Sequence, residues 1–234
     1  MFKKTFAVAG SLAAAVLAFS PLAQAGPLSS ITFSVTGWNA LTPSPNNTIN
    51  SPYQQALPTN PIMTAGNMFV TGTATGLPNW YVSSQPSNTF GTFVSGGSTS
   101  NSFTFWNMAG ANTVLSTGGF GSATLLKLTF TLANNDSMMT IVHDDGISIF
   151  GAMGLVNPTT PGNSAYPTTA TGTGYDLSAG TYSLYYVEAN GAPSELSFQN
   201  VTEAPEPGAL ALFGAGLLGC ALFIGRRRRM SRSI

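Results

Sequence analysis

From Leu126 to Leu132 every second residue is apolar: Leu126, Leu128, Phe130 and Leu132 alternate with Lys127, Thr129 and Thr131. A period of two places one set on each face of an extended strand, and a helix cannot separate them that way. Shorter alternations recur at 31–37, 68–71, 90–94 and 102–106, and apolar runs at 138–142, 147–150, 182–187 and 196–201 complete a set of about nine or ten short strands. Turn formers separate them at Asn134-Asn135-Asp136, Asp145-Gly146, Ala179-Gly180 and Asn190-Gly191. The composition is Ser, Thr, Asn, Gly and aromatics, with few Lys, Glu or Arg to favour helices. The fold expected is all-β, an antiparallel β-sandwich. Residues 43–61, rich in Pro and Asn, and 159–174, rich in Thr, Gly and Pro, read as long loops outside the core, and no internal repeat is visible.

The two ends of the chain are of another kind. Met1-Phe2-Lys3-Lys4 is a basic start, residues 7–19 are apolar, and Ala23-Gln24-Ala25 is a small-x-small pattern. Together they read as a secretory signal peptide over 1–25, cut before Gly26. At the other end Pro205-Glu206-Pro207 precedes an uncharged apolar run, 208–225, and then Arg226, Arg227, Arg228 and Arg229. The apolar run is long enough to cross a bilayer as one transmembrane helix, and the arginines hold its far end in the cytoplasm. An ordinary C-terminal anchor would share the last two features. The three in this order resemble the PEP-CTERM sorting signal of surface proteins in Gram-negative, exopolysaccharide-making bacteria. That resemblance implies export by the Sec machinery and a transient anchor in the inner membrane. An exosortase, a membrane cysteine transpeptidase, then cuts near the Pro-Glu-Pro and leaves the product at the cell surface or in the matrix. The division expected is 1–25 signal peptide, 26–203 exported sandwich and 204–234 sorting signal.

The chain has eight basic and eight acidic residues. Seven of the basic ones, Lys3, Lys4, Arg226 to Arg229 and Arg232, lie in the two membrane signals. Between Gly26 and Ala204 only Lys127 is basic, against Asp136, Asp144, Asp145, Asp176, Glu188, Glu195 and Glu203, a net charge of −6. Nucleic acid is excluded as a partner, since Lys and Arg supply most of that affinity. An acidic surface suits divalent cations or solubility in a matrix. Cys220, the single cysteine, lies in the apolar run, so the exported segment has no disulfide and depends on a core or a metal.

Residues 125–201 carry a second resemblance. An alternating strand leads to another that ends in Asp144-Asp145-Gly146; Leu177-Ser178-Ala179-Gly180 then opens a Tyr-rich strand, 182–187, that runs into Asn190-Gly191. This order resembles the protective-antigen-type β-sandwich shared with flocculins and the GLEYA adhesins. In the sugar-binding members two adjacent aspartates, often across a cis peptide, hold Ca²⁺ with an Asn from a neighbouring loop, and a glycan completes the shell. Carried over, Asp144 and Asp145 would be the carboxylate ligands and Asn190 the amide ligand. Adjacent carboxylates do repel unless a cation joins them, and Ca²⁺ takes six to eight oxygens. The alternative is a structural Asp-Gly hairpin turn with Asp144 facing solvent. The aromatic selectivity loop of some lectin members is missing here, where Pro193 and Ser194 follow Asn190-Gly191-Ala192.

No enzyme is expected. His143 is the single histidine, and no Gly-x-Ser-x-Gly pattern is present. A neighbour in a strand points to the opposite face, so His143 does not extend the aspartate pair. Two adjacent acids do not flank a glycosidic bond from both sides. His143 reads as a strand residue with its ring nitrogens satisfied, and Lys127 as one on a solvated face. The function expected is adhesion or exopolysaccharide and biofilm association, with Ca²⁺-dependent carbohydrate binding. The alternative is a structural matrix component without a ligand, and a polysaccharide-degrading enzyme stands behind both.

Overall fold

The computed structural model describes residues 31–40, 51–97, 99–118, 122–133, 137–159, 164–169 and 171–203. The leader, Pro205 to Pro207, the apolar run and the arginine cluster lie outside these residues, as does the Asn134-Asn135-Asp136 turn. Among the described residues no helix is long and apolar enough to cross a membrane.

The strands are β1 Thr32–Ala40, β2 Met68–Thr75, β3 Asn79–Val82, β4 Ser100–Phe105, β5 Ala123–Leu132 and β6 Ser137–Asp144. They continue as β7 Gly146–Gly151, β8 Gly154–Leu155, β9 Thr171–Leu177, β10 Gly180–Glu188 and β11 Ser194–Glu203. Among the described residues a short α-helix, α1, spans Phe90–Ser95. The strands form a seven-stranded sheet in the order β4-β2-β1-β5-β10-β7-β8 and a four-stranded sheet in the order β3-β11-β6-β9. Every neighbouring pair is antiparallel. Strands from the first half of the chain enter both sheets, β1, β2 and β4 the larger one and β3 the smaller.

The core follows from the alternation. In β5, Leu126, Leu128, Phe130 and Leu132 are buried, and in β1, Phe33 and Val35 are. Phe33 meets Phe198 of β11 edge-on, with ring centroids 5.4 Å apart, which ties one sheet to the other. Trp80 of β3 is fully buried, and its indole N–H donates to Thr99 Oγ1 at 3.0 Å. Full burial of one such side chain contributes roughly 1.5–3 kcal/mol.

Three expectations are corrected. The segment 90–94 is helix, not strand: Phe90, Phe93 and Val94 are buried at helical spacing, and Thr89 caps the helix by accepting from the Thr92 N–H at 3.3 Å. The second loop ends early, because β9 begins at Thr171 and pairs with His143 of β6. Alternating glycines at 172 and 174 hide that strand from an apolar pattern. The Pro- and Asn-rich loop is also not outside the core. Ala56 within it and Ile62 just after it are fully buried against Ala123, Leu125, Tyr185 and Val187, in a second apolar cluster. Asn60 holds that loop, donating to the Tyr53 and Gln55 carbonyls at 3.0 and 2.8 Å and accepting from the Ile62 N–H.

Candidate functional site

Asp144 closes β6, in the smaller sheet, and Gly146 opens β7, in the larger one. The Asp-Asp-Gly segment is therefore a corner between sheets and not the hairpin turn of the alternative reading. A second crossing lies beside it: β10 belongs to the larger sheet and β11 to the smaller, joined through residues 189–193. The register places Gly146 opposite Val187, so both crossings lie at one end of the sandwich.

Gly146 makes the corner compact. A Cβ on it would lie 2.4 Å from the Tyr166 carbonyl oxygen, a backbone atom that cannot step aside. Gly191 has φ +98°, a left-handed conformation that suits glycine, and a Cβ on it would lie 3.0 Å from the Gly118 Cα.

Hydrogen bonds from both sheets hold the corner. The Asp144–Asp145 peptide bond is cis. The Tyr186 hydroxyl of β10 donates to the Asp144 carbonyl. The Asp145 carbonyl accepts from His143 Nδ1, which must carry the ring proton because a carbonyl can only accept. His143 Nε2 then accepts from Thr173 Oγ1 at 2.8 Å. Burial lowers the His143 pKa, against the opposing pull of the Asp145 carbonyl. The expected satisfied strand histidine is what the structure places here, and both ring nitrogens are committed.

The Asp145 carboxyl reaches across to the second crossing. Its Oδ2 accepts from the backbone N–H of Ala189 at 2.7 Å and of Asn190 at 3.0 Å. Its Oδ1 is buried without a donor from the protein. Asp145 is fully buried and Asp144 is 4% exposed. Burial first, then the charge and side-chain contact of Asp144, push the Asp145 pKa up to about 8 against the opposing pull of the Ala189 and Asn190 N–H groups.

The structure brings Asp144, Asp145 and Asn190 together at this corner. Asn190 binds Asp145 through its backbone, is half-buried, and is the member of the set that solvent reaches best. Among the described residues, His, Cys, Asp and Glu do not by themselves form a group of three around a metal position.

Sequence reasoning missed Glu188 and Tyr186. They sit two apart in β10 and so face the same way, into the corner. Glu188 Oε1 accepts from the Gly191 N–H at 3.1 Å, and Oε2 lies 3.2 Å from the Tyr186 hydroxyl. Burial, followed by the Asp145 charge, raises Glu188 well above the ordinary carboxyl range. Both residues are fully buried. The available signal was an acid ending an otherwise uncharged strand, TYSLYYVE.

The PEP-CTERM protein-sorting motif matches residues 203–229. The chain thus carries the sorting signal of exported surface proteins that are anchored in a membrane and then cleaved by an exosortase. Among solved structures, the chain is similar to a PA14 sugar-binding domain from an RTX adhesin, with 14% identity and a TM-score of 0.45 over 71% of this chain and 88% of that one. It is also similar to a GH31 alpha-xylosidase from Xanthomonas citri, with 8% identity and a TM-score of 0.35 over 78% of this chain and 16% of that one. No curated protein matches the chain in sequence.

Proposed function

We propose that this protein is a non-enzymatic surface adhesin of the exopolysaccharide matrix. Asp144, Asp145 and Asn190 take a Ca²⁺ ion, and the ion takes the paired hydroxyls of a glycan. The observation that carries this reading is the burial of two adjacent carboxyls, with Asp145 Oδ1 lacking a protein donor. The one basic side chain of the exported segment is spent elsewhere, since Lys127 Nζ lies 5.9 Å from the centre of the Tyr185 ring. Such a pair needs either protons or a cation, and a hard, oxygen-seeking ion suits it. When bound, Ca²⁺ would supply the positive charge and open coordination positions for hydroxyl oxygens. The protein's share is to hold the carboxyls and to keep Asn190 at the surface.

Catalysis is not part of the reading. The one histidine is buried with both nitrogens bonded, and the aspartates stand on one side of the corner rather than on two sides of a substrate.

A structural corner in a matrix component remains the second reading, favoured by the two backbone donors on Asp145 Oδ2. A glycan array run with the full chain in mild detergent separates the two. Signals that vanish with chelator and return with Ca²⁺ support the adhesin, and an array that stays blank with Ca²⁺ supports the structural corner. The sorting step has its own test: the mature protein in its host should lack residues 208–234, and an intact mass that retains them would contradict it.

A further inference from the structure

The outward face of the larger sheet has a different chemistry from the corner. Across five of its seven strands, β4, β2, β1, β5 and β10, the register aligns Ser102, Thr73, Ser34, Thr129 and Ser183 in one row. Each is exposed or half-exposed, while the residues beside them in β1 and β5 turn inward to the core. The next row repeats the pattern, with Thr32 hydrogen-bonded to Thr75 at 3.1 Å and Thr131 to Thr181 at 2.9 Å. Strand spacing and pleat set these hydroxyls about 5 Å apart across the sheet and about 7 Å apart along it. None of these positions carries a carboxylate, in a segment of net charge −6.

Phe150, paired with Ser183, and Tyr185, paired with Lys127, also lie on this face but are half-buried and buried, so the exposed ring is that of Trp106. Trp106 directly follows β4 and is 61% exposed. Its backbone N–H donates to the Phe69 carbonyl at 2.8 Å, and its indole N–H to Thr71 Oγ1 at 3.0 Å. Thr71 belongs to the outward set of β2, opposite Thr104 of β4. The indole is therefore pinned at both ends with its ring left open to solvent. A buried apolar ring would not need such a tether, and an idle surface ring would not be expected to have one.

We propose that this face is a second carbohydrate-binding surface. It takes a neutral, extended polysaccharide chain, with one sugar ring stacked on Trp106 and its neighbours hydrogen-bonded to the Ser and Thr rows. An uncharged pyranose chain matches a surface that is rich in hydroxyl donors and acceptors and free of carboxylate. The negative charge of the rest of the segment works against an acidic polymer. The pinned indole contributes apolar contact with no rotamer left to freeze on binding. No metal takes part. Along β10 the Ser183 row lies five residues, roughly 17 Å, from Glu188 at the corner, so the two surfaces act separately.

The test is native affinity electrophoresis of the full chain in neutral detergent. Gels contain hydroxyethyl cellulose, galactomannan or alginate, and EDTA is present throughout, so that a calcium site at the corner contributes nothing. The expected result is retardation by at least one of the two neutral polymers and none by alginate. Trp106→Ala should weaken that retardation at least about fivefold, and Thr73→Asp, which sets a carboxylate in the central row, should do the same. Both positions are exposed or half-exposed, and unchanged thermal melts show that the variants fold. No retardation in either neutral gel, equal retardation of wild type and both variants, or preference for alginate would each overturn the proposal. None of these outcomes bears on the corner.

Discussion

The corner at Asp144 and the outward face of the larger sheet solve opposite problems with the same backbone. At the corner, Asp144, Asp145, Glu188 and His143 are all buried, and backbone N–H groups, a tyrosine hydroxyl and a threonine hydroxyl hold all but Asp145 Oδ1 of the groups described there. On the face, hydroxyls stand in water and bond one another across strands. Buried polar groups are stabilised only while every partner stays in place, whereas exposed ones can exchange a lost partner for water. The corner should therefore be brittle to substitution and the face tolerant.

The sharpest break in that comparison is Asp145→Ala. It leaves the Ala189 and Asn190 N–H groups buried without an acceptor and should destabilise the chain by about 3 kcal/mol in chemical denaturation. Gly146→Ala follows at about 2–3 kcal/mol, because the new Cβ meets the Tyr166 carbonyl oxygen at 2.4 Å. Glu188→Ala should cost about 2 kcal/mol, and Glu188→Gln less than half of that, since an amide oxygen can still accept from the Gly191 N–H. Thr73→Ala on the face should stay within about 0.5 kcal/mol of wild type. A face variant as costly as the corner variants would erase the distinction.

Acidity probes the same contrast without mutation. Asp145 has an ordinary pKa of 3.8 and one of about 8 when folded. The folded chain keeps a proton that the unfolded chain releases, so this contribution is complete below pH 4 and is lost as pH rises toward 8. His143 works the other way: its lowered pKa costs stability as pH falls below its ordinary 6.5. Thermal melts in chelator should therefore show a midpoint that falls between pH 6.5 and 8, where His143 is silent. Added Ca²⁺ should cancel the fall by replacing the proton. A midpoint that is flat across that window in chelator would contradict the raised Asp145.

The sandwich was legible because several strands alternate and others are short apolar runs between turn formers. Leu126 to Leu132 announces its buried face, β1 and β2 alternate in the same way, and apolar runs mark β6, β7, β10 and β11. Where glycine replaces apolar residues, as at 172 and 174 in β9, the period disappears while the backbone pairing survives. The helix at Phe90 was misread because Phe90 and Val94 satisfy both a period of two and a helical spacing. Only the Thr89 cap and the burial of Phe93 decide between them. At the corner, Asp144, Asp145 and Asn190 stand out as residue types. Glu188 and Tyr186 do not, because their role depends on two crossings meeting at one end, a fact of topology rather than of local sequence. The pinning of Trp106 by Thr71 was hidden for the same reason, since the two are neighbours only through the pairing of β2 with β4.

The central claim is that the corner holds a calcium ion, and calorimetry addresses it most directly. Ca²⁺ is titrated into the full chain in mild detergent at pH 8, for wild type and for Asp145→Asn. The account predicts saturable binding with a stoichiometry near one in the wild type and loss of that heat in the variant. No heat in the wild type, or equal binding in both, would contradict it and leave Asp144 and Asp145 as a structural corner.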